Sequence, residues 1–108
     1  GATIGTVTMA ANGVLEDRGF AEFIRHGVCH WVGMEVHDPG DYSSEFVPGM
    51  VFTIEPGLYI APDDEVAPEA FRGIGIRIED DVLVTEDGHE NLTDACPKSI
   101  EDIEALRG

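Results

Sequence analysis

A chain of 108 residues with 43% hydrophobic content is long enough for one small core and too apolar to be disordered throughout. Twenty-two acidic residues against six basic ones, a formal charge of -16, exclude nucleic acid and anionic membranes as partners, because both would be repelled. No apolar run approaches the roughly 18 residues of a membrane span and no basic, apolar leader opens the sequence, so a soluble, cytoplasmic protein is expected.

The acids are read mainly as a solvating surface, with attraction of metal cations as a second benefit. Cys29 and Cys96 are the only cysteines. Their spacing gives no disulfide framework, and both are expected to be reduced. Cys29 is expected to be a small buried filler, its side chain directed away from the flanking histidines by strand alternation.

In chain order, residues 3–18 read as a helix, with Ile4, Val7, Ala11, Val14 and Leu15 on one stripe and Thr6, Asn12 and Asp17 outward; Gly19 is its stop. Phe20 to Ile24 is expected to extend. Residues 26–31 are expected to be strand, because Gly27, Val28, Cys29 and Trp31 are poor helix formers, although His26 and His30 would be neighbours in either state. Val36-His37-Asp38 is a further short extended piece before a turn at Pro39-Gly40-Asp41.

Pro48-Gly49 turns into a strand from Met50 to Ile60, interrupted by Pro56-Gly57. Met50, Phe52 and Ile54 alternate with Val51, Thr53 and Glu55. Residues 61–72 form a polar, proline-bearing loop. Gly73 to Thr85 is the clearest strand, with Ile74, Ile76 and Ile78 on one face and Gly73, Gly75, Arg77 and Glu79 on the other. Glycines within a strand mark places where a ligand or another backbone comes close. Glu86-Asp87-Gly88-His89 is a hairpin turn, Glu90 to Thr93 returns as a short strand, and Ser99 caps a last helix carrying Ile100, Ile103 and Leu106. The order helix, antiparallel strands, helix predicts an α+β fold with a curved antiparallel sheet and flanking helices.

Three of the four histidines, His26, His30 and His37, fall within twelve positions. Two glutamates, Glu55 and Glu79, follow inside apolar strands. One imidazole and two carboxylates on rigid elements suit a divalent transition metal, with His30, Glu55 and Glu79 as ligands and His26 and His37 nearby for proton or substrate contacts. Each residue also has an ordinary alternative: a solvated or paired carboxylate for Glu55, an ion pair with Arg77 for Glu79, a hydrogen-bonded core position for a histidine beside Trp31.

Four stretches carry a resemblance. They are His-Gly-Val-Cys-His-Trp-Val-Gly-Met-Glu-Val-His-Asp from His26, Pro-Gly-Met-Val-Phe-Thr-Ile-Glu-Pro-Gly-Leu-Tyr-Ile from Pro48, Gly-Ile-Gly-Ile-Arg-Ile-Glu-Asp-Asp-Val-Leu-Val-Thr from Gly73, and Glu-Asn-Leu-Thr from Glu90. In this order they resemble the C-terminal part of the aminopeptidase P family, whose wider group shares the pita-bread fold. The resemblance implies that residues 1–108 are the C-terminal portion, about half, of such a catalytic domain. The implied activity is metal-dependent release of the first residue from peptides with proline at position two.

By the same resemblance His30 and Glu55 match ligands of one metal and Glu79 matches the carboxylate bridging two, commonly manganese. His26 and His37 match the histidines that contact substrate and move protons, and Arg77 an arginine supporting the site. The family pattern also draws two aspartates and a further histidine from an upstream segment. Asp17 is the only aspartate before His26, and its surroundings do not resemble that segment. The expectation is therefore at most one weakly held metal in this chain and no dinuclear centre by itself. The alternative is a non-catalytic module that binds one metal weakly or self-associates. Homo-oligomers, or association with the missing half, are the expected partnerships.

Overall fold

The computed structural model describes all residues from Gly1 to Gly108. The chain opens with helix α1, Ile4–Asp17. A reciprocal capping box sets its start, Thr3 and Thr6 each satisfying the other's backbone N–H through a side-chain oxygen. Gly19, at φ +84°, ends it: Gly19 N donates to the Glu16 carbonyl and Phe20 N to that of Leu15, a closure that needs a left-handed residue.

Five strands follow, in a three-stranded and a two-stranded antiparallel sheet. β1 (Val51–Ile54) pairs with β4 (Asp80–Thr85), and β4 with β5 (Gly88–Asn91). β2 (Gly57–Tyr59) pairs with β3 (Gly75–Arg77) in a second sheet. A last helix, α2, spans Ile100–Arg107, its Ser99 cap accepting from Asp102 N at 3.1 Å. No helix is long and apolar enough to cross a membrane.

The main core lies between α1 and the three-stranded sheet. Ile4, Val28, Cys29, Trp31, Phe52 and Val82 are buried there, with Val7 and Ala11 packed alongside. Phe23, Ile60 and Ala67 make a smaller second core under the 61–72 loop. Cys29 is a buried member of the first, as expected, and burial pushes its thiol pKa up.

Several local expectations are corrected. Phe20 to Ile24 is not extended: residues Ala21–Phe23 make a 3₁₀ turn that delivers Phe23 to the second core. Val36 to Asp38 is not extended either. Residues 33–37 bend back so that Asp38 N reaches the Trp31 carbonyl at 3.1 Å. Residues 28–32 do run beside β1, through Val32 N to Val51 O, Thr53 N to His30 O and Glu55 N to Val28 O, though only Trp31 and Phe52 form a bridge. Asn12 is half-buried with its Oδ1 inside, whereas Val14 is 61% exposed, so the inward stripe of α1 is rotated from the one expected. The turn after β4 is tighter than expected, two residues, because Thr85 already pairs with Gly88. Helix α2 buries none of its residues, so Ile100, Ile103 and Leu106 stay exposed.

The strand expected over Gly73 to Thr85 is split into β3 and β4, and the reason is in its partner. Pro56 has no N–H to give to a ladder, so pairing lapses opposite it. Register nevertheless runs through the lapse. Ile54 pairs with Asp80 on one side and Gly57 with Arg77 on the other, which leaves Glu55 opposite Glu79 and Pro56 opposite Ile78. The two sheets are one ribbon with a gap.

Candidate metal centre

Directly opposite residues of an antiparallel ribbon share a face, and so do residues two apart along each strand. The pairs Thr53–Asp81, Glu55–Glu79, Gly57–Arg77 and Tyr59–Gly75 therefore lie in a row on one side of the ribbon. The other side carries Ile54 opposite Asp80 at one end and then Pro56, Ile78, Leu58 and Ile76, so that beyond Asp80 it is apolar. Sequence alternation thus yields a ribbon with an ionisable front and an apolar back.

His30 joins the front from the neighbouring segment. It sits beside Thr53, whose hydroxyl and backbone N–H both hold it: His30 N donates to Thr53 Oγ1 at 3.0 Å, and Thr53 N donates to the His30 carbonyl at 2.9 Å. Thr53 is 1% exposed, and its hydroxyl donates onward to Glu55 Oε1 at 3.1 Å. One buried threonine thereby sets both a histidine backbone and a glutamate side chain.

The geometry between His30 and Glu55 carries a chemical demand. His30 Nδ1 lies 2.9 Å from the Trp31 carbonyl, which can only accept, so Nδ1 bears a proton. In neutral imidazole, Nε2 then presents a lone pair, and Glu55 Oε1 faces it at 3.0 Å. Two acceptors at that distance repel unless a proton or a cation lies between them. Both side chains are only 13% exposed, so water screens the conflict little.

Glu79 adds a second carboxylate. Donor atoms of His30, Glu55 and Glu79 all lie within 4.8 Å of one another. The one basic group near Glu79 is Arg77, whose Nε stands 3.8 Å from Oε2, a half-exposed and loose pair worth little. An imidazole nitrogen and two carboxylates converging with no matching positive charge is the donor set of a zinc- or manganese-type site. The residues present fit a divalent ion on that chemistry.

The remaining expected site residues lie around this triad. The His37 ring packs on that of His30, centroids 4.4 Å apart, although His37 itself is exposed. His26 is not in the triad. Its Nδ1 is 2.7 Å from the Gly27 carbonyl and its Nε2 accepts from the Tyr59 hydroxyl at 2.9 Å. Gly57 makes room for this: a Cβ there would lie 2.8 Å from His26 Nε2 and 3.0 Å from Tyr59 Oη. Thr53 and Tyr59 were not singled out as site residues in the sequence. Their spacing to Glu55, two before and four after on one alternating face, is the signal that could have found them.

The chain matches the metallopeptidase family M24 over residues 1–86 and belongs to that family. Its relatives within the family include Xaa-Pro aminopeptidases. It is 59% identical to the Xaa-Pro aminopeptidase of Escherichia coli K12 over 88 residues, 78% of this chain and 20% of that protein. It is 53% identical to human Xaa-Pro aminopeptidase 3 over 87 residues, 79% of this chain and 17% of that protein. Among solved structures, E. coli aminopeptidase P with the inhibitor Pro-Leu superimposes with a TM-score of 0.75 at 44% identity, covering 95% of this chain and 27% of that one. Aminopeptidase P II of Yersinia pestis gives 0.73 at 45% identity, covering 95% and 28%. The fold is therefore a partial segment of the pita-bread architecture, and the chain spans about a fifth to a quarter of the relatives it matches.

Proposed function

We propose that this chain supplies one side of a metal-dependent aminopeptidase centre that releases the first residue from peptides with proline at position two. The observation that carries the reading is the facing of His30 Nε2 and Glu55 Oε1 at 3.0 Å with Glu79 within reach of both. The names of the relatives supply the substrate class. Manganese is taken as the metal on the resemblance of the sequence motifs alone.

When bound, a divalent ion in such a site polarises a carbonyl and makes a coordinated water acidic. His30, Glu55 and Glu79 would hold it, with Thr53 keeping the first two in register. His37, packed on His30 and open to solvent, is placed to exchange protons at the ring. His26, whose Nδ1 proton is committed to Gly27, can accept at Nε2 and is oriented by Tyr59. Arg77, next to Glu79, would steady substrate or carboxylate. Three donors are an incomplete set for a two-metal centre, so the chain alone is expected to hold one ion weakly and to be inactive.

Calorimetry with manganese chloride tests this. One weak site, abolished by Glu55→Ala or Glu79→Ala, is expected; no binding, or two tight sites, overturns the ligand assignment. Incubation with an Xaa-Pro peptide should release no amino acid, and release that disappears in Glu79→Ala would overturn the inactivity of the isolated chain.

A second reading is a non-catalytic module that self-associates. The apolar back of the ribbon favours it, since Ile74, Ile76 and Ile78 are 44–56% exposed beside Phe71 at 43%.

A further inference from the structure

The chain has a single lysine, and all its donors are spent on Asp80 and the loop that follows β5. Lys98 Nζ lies 2.9 Å from Asp80 Oδ1 and donates to the carbonyls of Thr93 at 2.8 Å and Cys96 at 3.0 Å. An ammonium has three protons to give, so none is left over. The Thr93 hydroxyl donates to the same Asp80 oxygen at 2.6 Å and accepts from Asp81 N at 3.1 Å. Leu92 N closes the group on the Asp81 carbonyl at 2.9 Å.

These bonds converge on the two residues that follow Glu79. At Glu79 itself the ladder is missing, because β3 ends at Arg77 and β4 begins at Asp80. Its carboxylate has only the loose contact to Arg77. The backbone that aims Glu79 is therefore anchored from the Asp80 side, and Asp80 pairs with Ile54, the residue before Glu55. Lys98 and Asp80 side chains are 25% and 23% exposed, enough burial for the pair to be directional.

We infer that Lys98 is a positioning residue for the metal centre, fixing through Asp80 and Thr93 the backbone that presents Glu79 to Glu55 and His30. Its functional half rests on the metal reading above. The test uses the 108-residue chain with Lys98→Met, Lys98→Arg and Thr93→Val. Without metal, amide hydrogen exchange at Asp81 should accelerate at least tenfold in Lys98→Met, while the Ile60 amide in the other sheet, bonded to the Ile74 carbonyl, should not change. With manganese, calorimetry should show affinity about tenfold weaker in Lys98→Met, the low end for residues that support a ligand, and largely recovered in Lys98→Arg. Thr93→Val, which removes the acceptor of the Asp81 amide itself, should accelerate that exchange at least as much and weaken manganese affinity in the same direction, and it carries the test if Lys98→Met does not fold. Equal acceleration at Ile60 and Asp81, or unchanged manganese affinity, would reduce Lys98 to a general stabiliser and overturn the inference. If the unaltered chain takes up no manganese, the metal reading falls and the functional role of Lys98 falls with it, whereas the Asp81 exchange separately reports whether the anchor exists.

Discussion

Glu55 and Glu79 stand directly opposite each other at the gap in an otherwise continuous antiparallel ribbon. Like charges in that relation are destabilising by roughly 0.2–1 kcal/mol, so the pair is retained at a cost in the metal-free chain. Glu79→Gln should raise the thermal midpoint of the metal-free chain and at the same time remove manganese binding. Opposite signs for stability and binding are the diagnostic outcome; a variant that is less stable and still binds metal would contradict the role given to Glu79.

Gly57 is the position where the site has no room for a side chain. A Cβ there would press on both His26 and Tyr59, so Gly57→Ala should separate the His26 Nε2 to Tyr59 hydroxyl bond and cost about 1–3 kcal/mol, the range for overpacking. Nitrogen-15 spectra of the imidazole should show the His26 Nε2 signal shifting as it loses the Tyr59 hydroxyl while Nδ1 stays protonated, with His30 unchanged. An unaltered His26 signal would mean that the contact is relieved elsewhere.

Asp64 gives the polar loop its pH dependence. Its Oδ1 accepts from Val66 N and Ala67 N, each at 2.8 Å. The bond from Ala67 leads in holding its carboxyl below the usual aspartate range, with Val66, Arg25 and Arg72 adding to it against some desolvation. A lowered folded-state pKa means that the unfolded chain takes up the proton first on acidification. The stabilisation is therefore complete above the ordinary aspartate pKa of about 3.9 and is lost as pH falls through the lower folded value. The Ala67 amide shift should titrate below that ordinary range, and Asp64→Ala should abolish the transition. A midpoint at or above the ordinary value would refute the assignment.

The apolar back should drive self-association. Ile74, Ile76 and Ile78 form a row of half-exposed isoleucines in a chain whose charge otherwise opposes contact. Light scattering on the isolated chain is expected to give a dimer or larger, and Ile76→Glu to return it to monomer. A monomeric mass for the unaltered chain at high concentration would count against this surface as an interface.

The donor types, their order and their motifs were legible from residues alone. So were Ser99 as a cap, Gly19 as a stop and Pro56 as an interruption, because each acts within a turn of its own position. The inward face of α1 is not legible at Asn12 and Val14, since which part of a weak stripe is buried depends on what packs against it. The break in the strand from Gly73 is not legible either, because Pro56 in another strand imposes it.

By itself, the sequence determined that this protein has one imidazole and two carboxylates suited to a metal, an ionisable and an apolar side to its ribbon, and membership of a recognisable family. Only the tertiary structure decided that Glu55 meets Glu79, that Thr53 binds His30 to Glu55, and that Lys98 anchors Asp80. Apart from the Thr53–Glu55 bond, those contacts join residues 18 to 24 positions apart and are fixed by how separate segments pair, which no local stretch encodes.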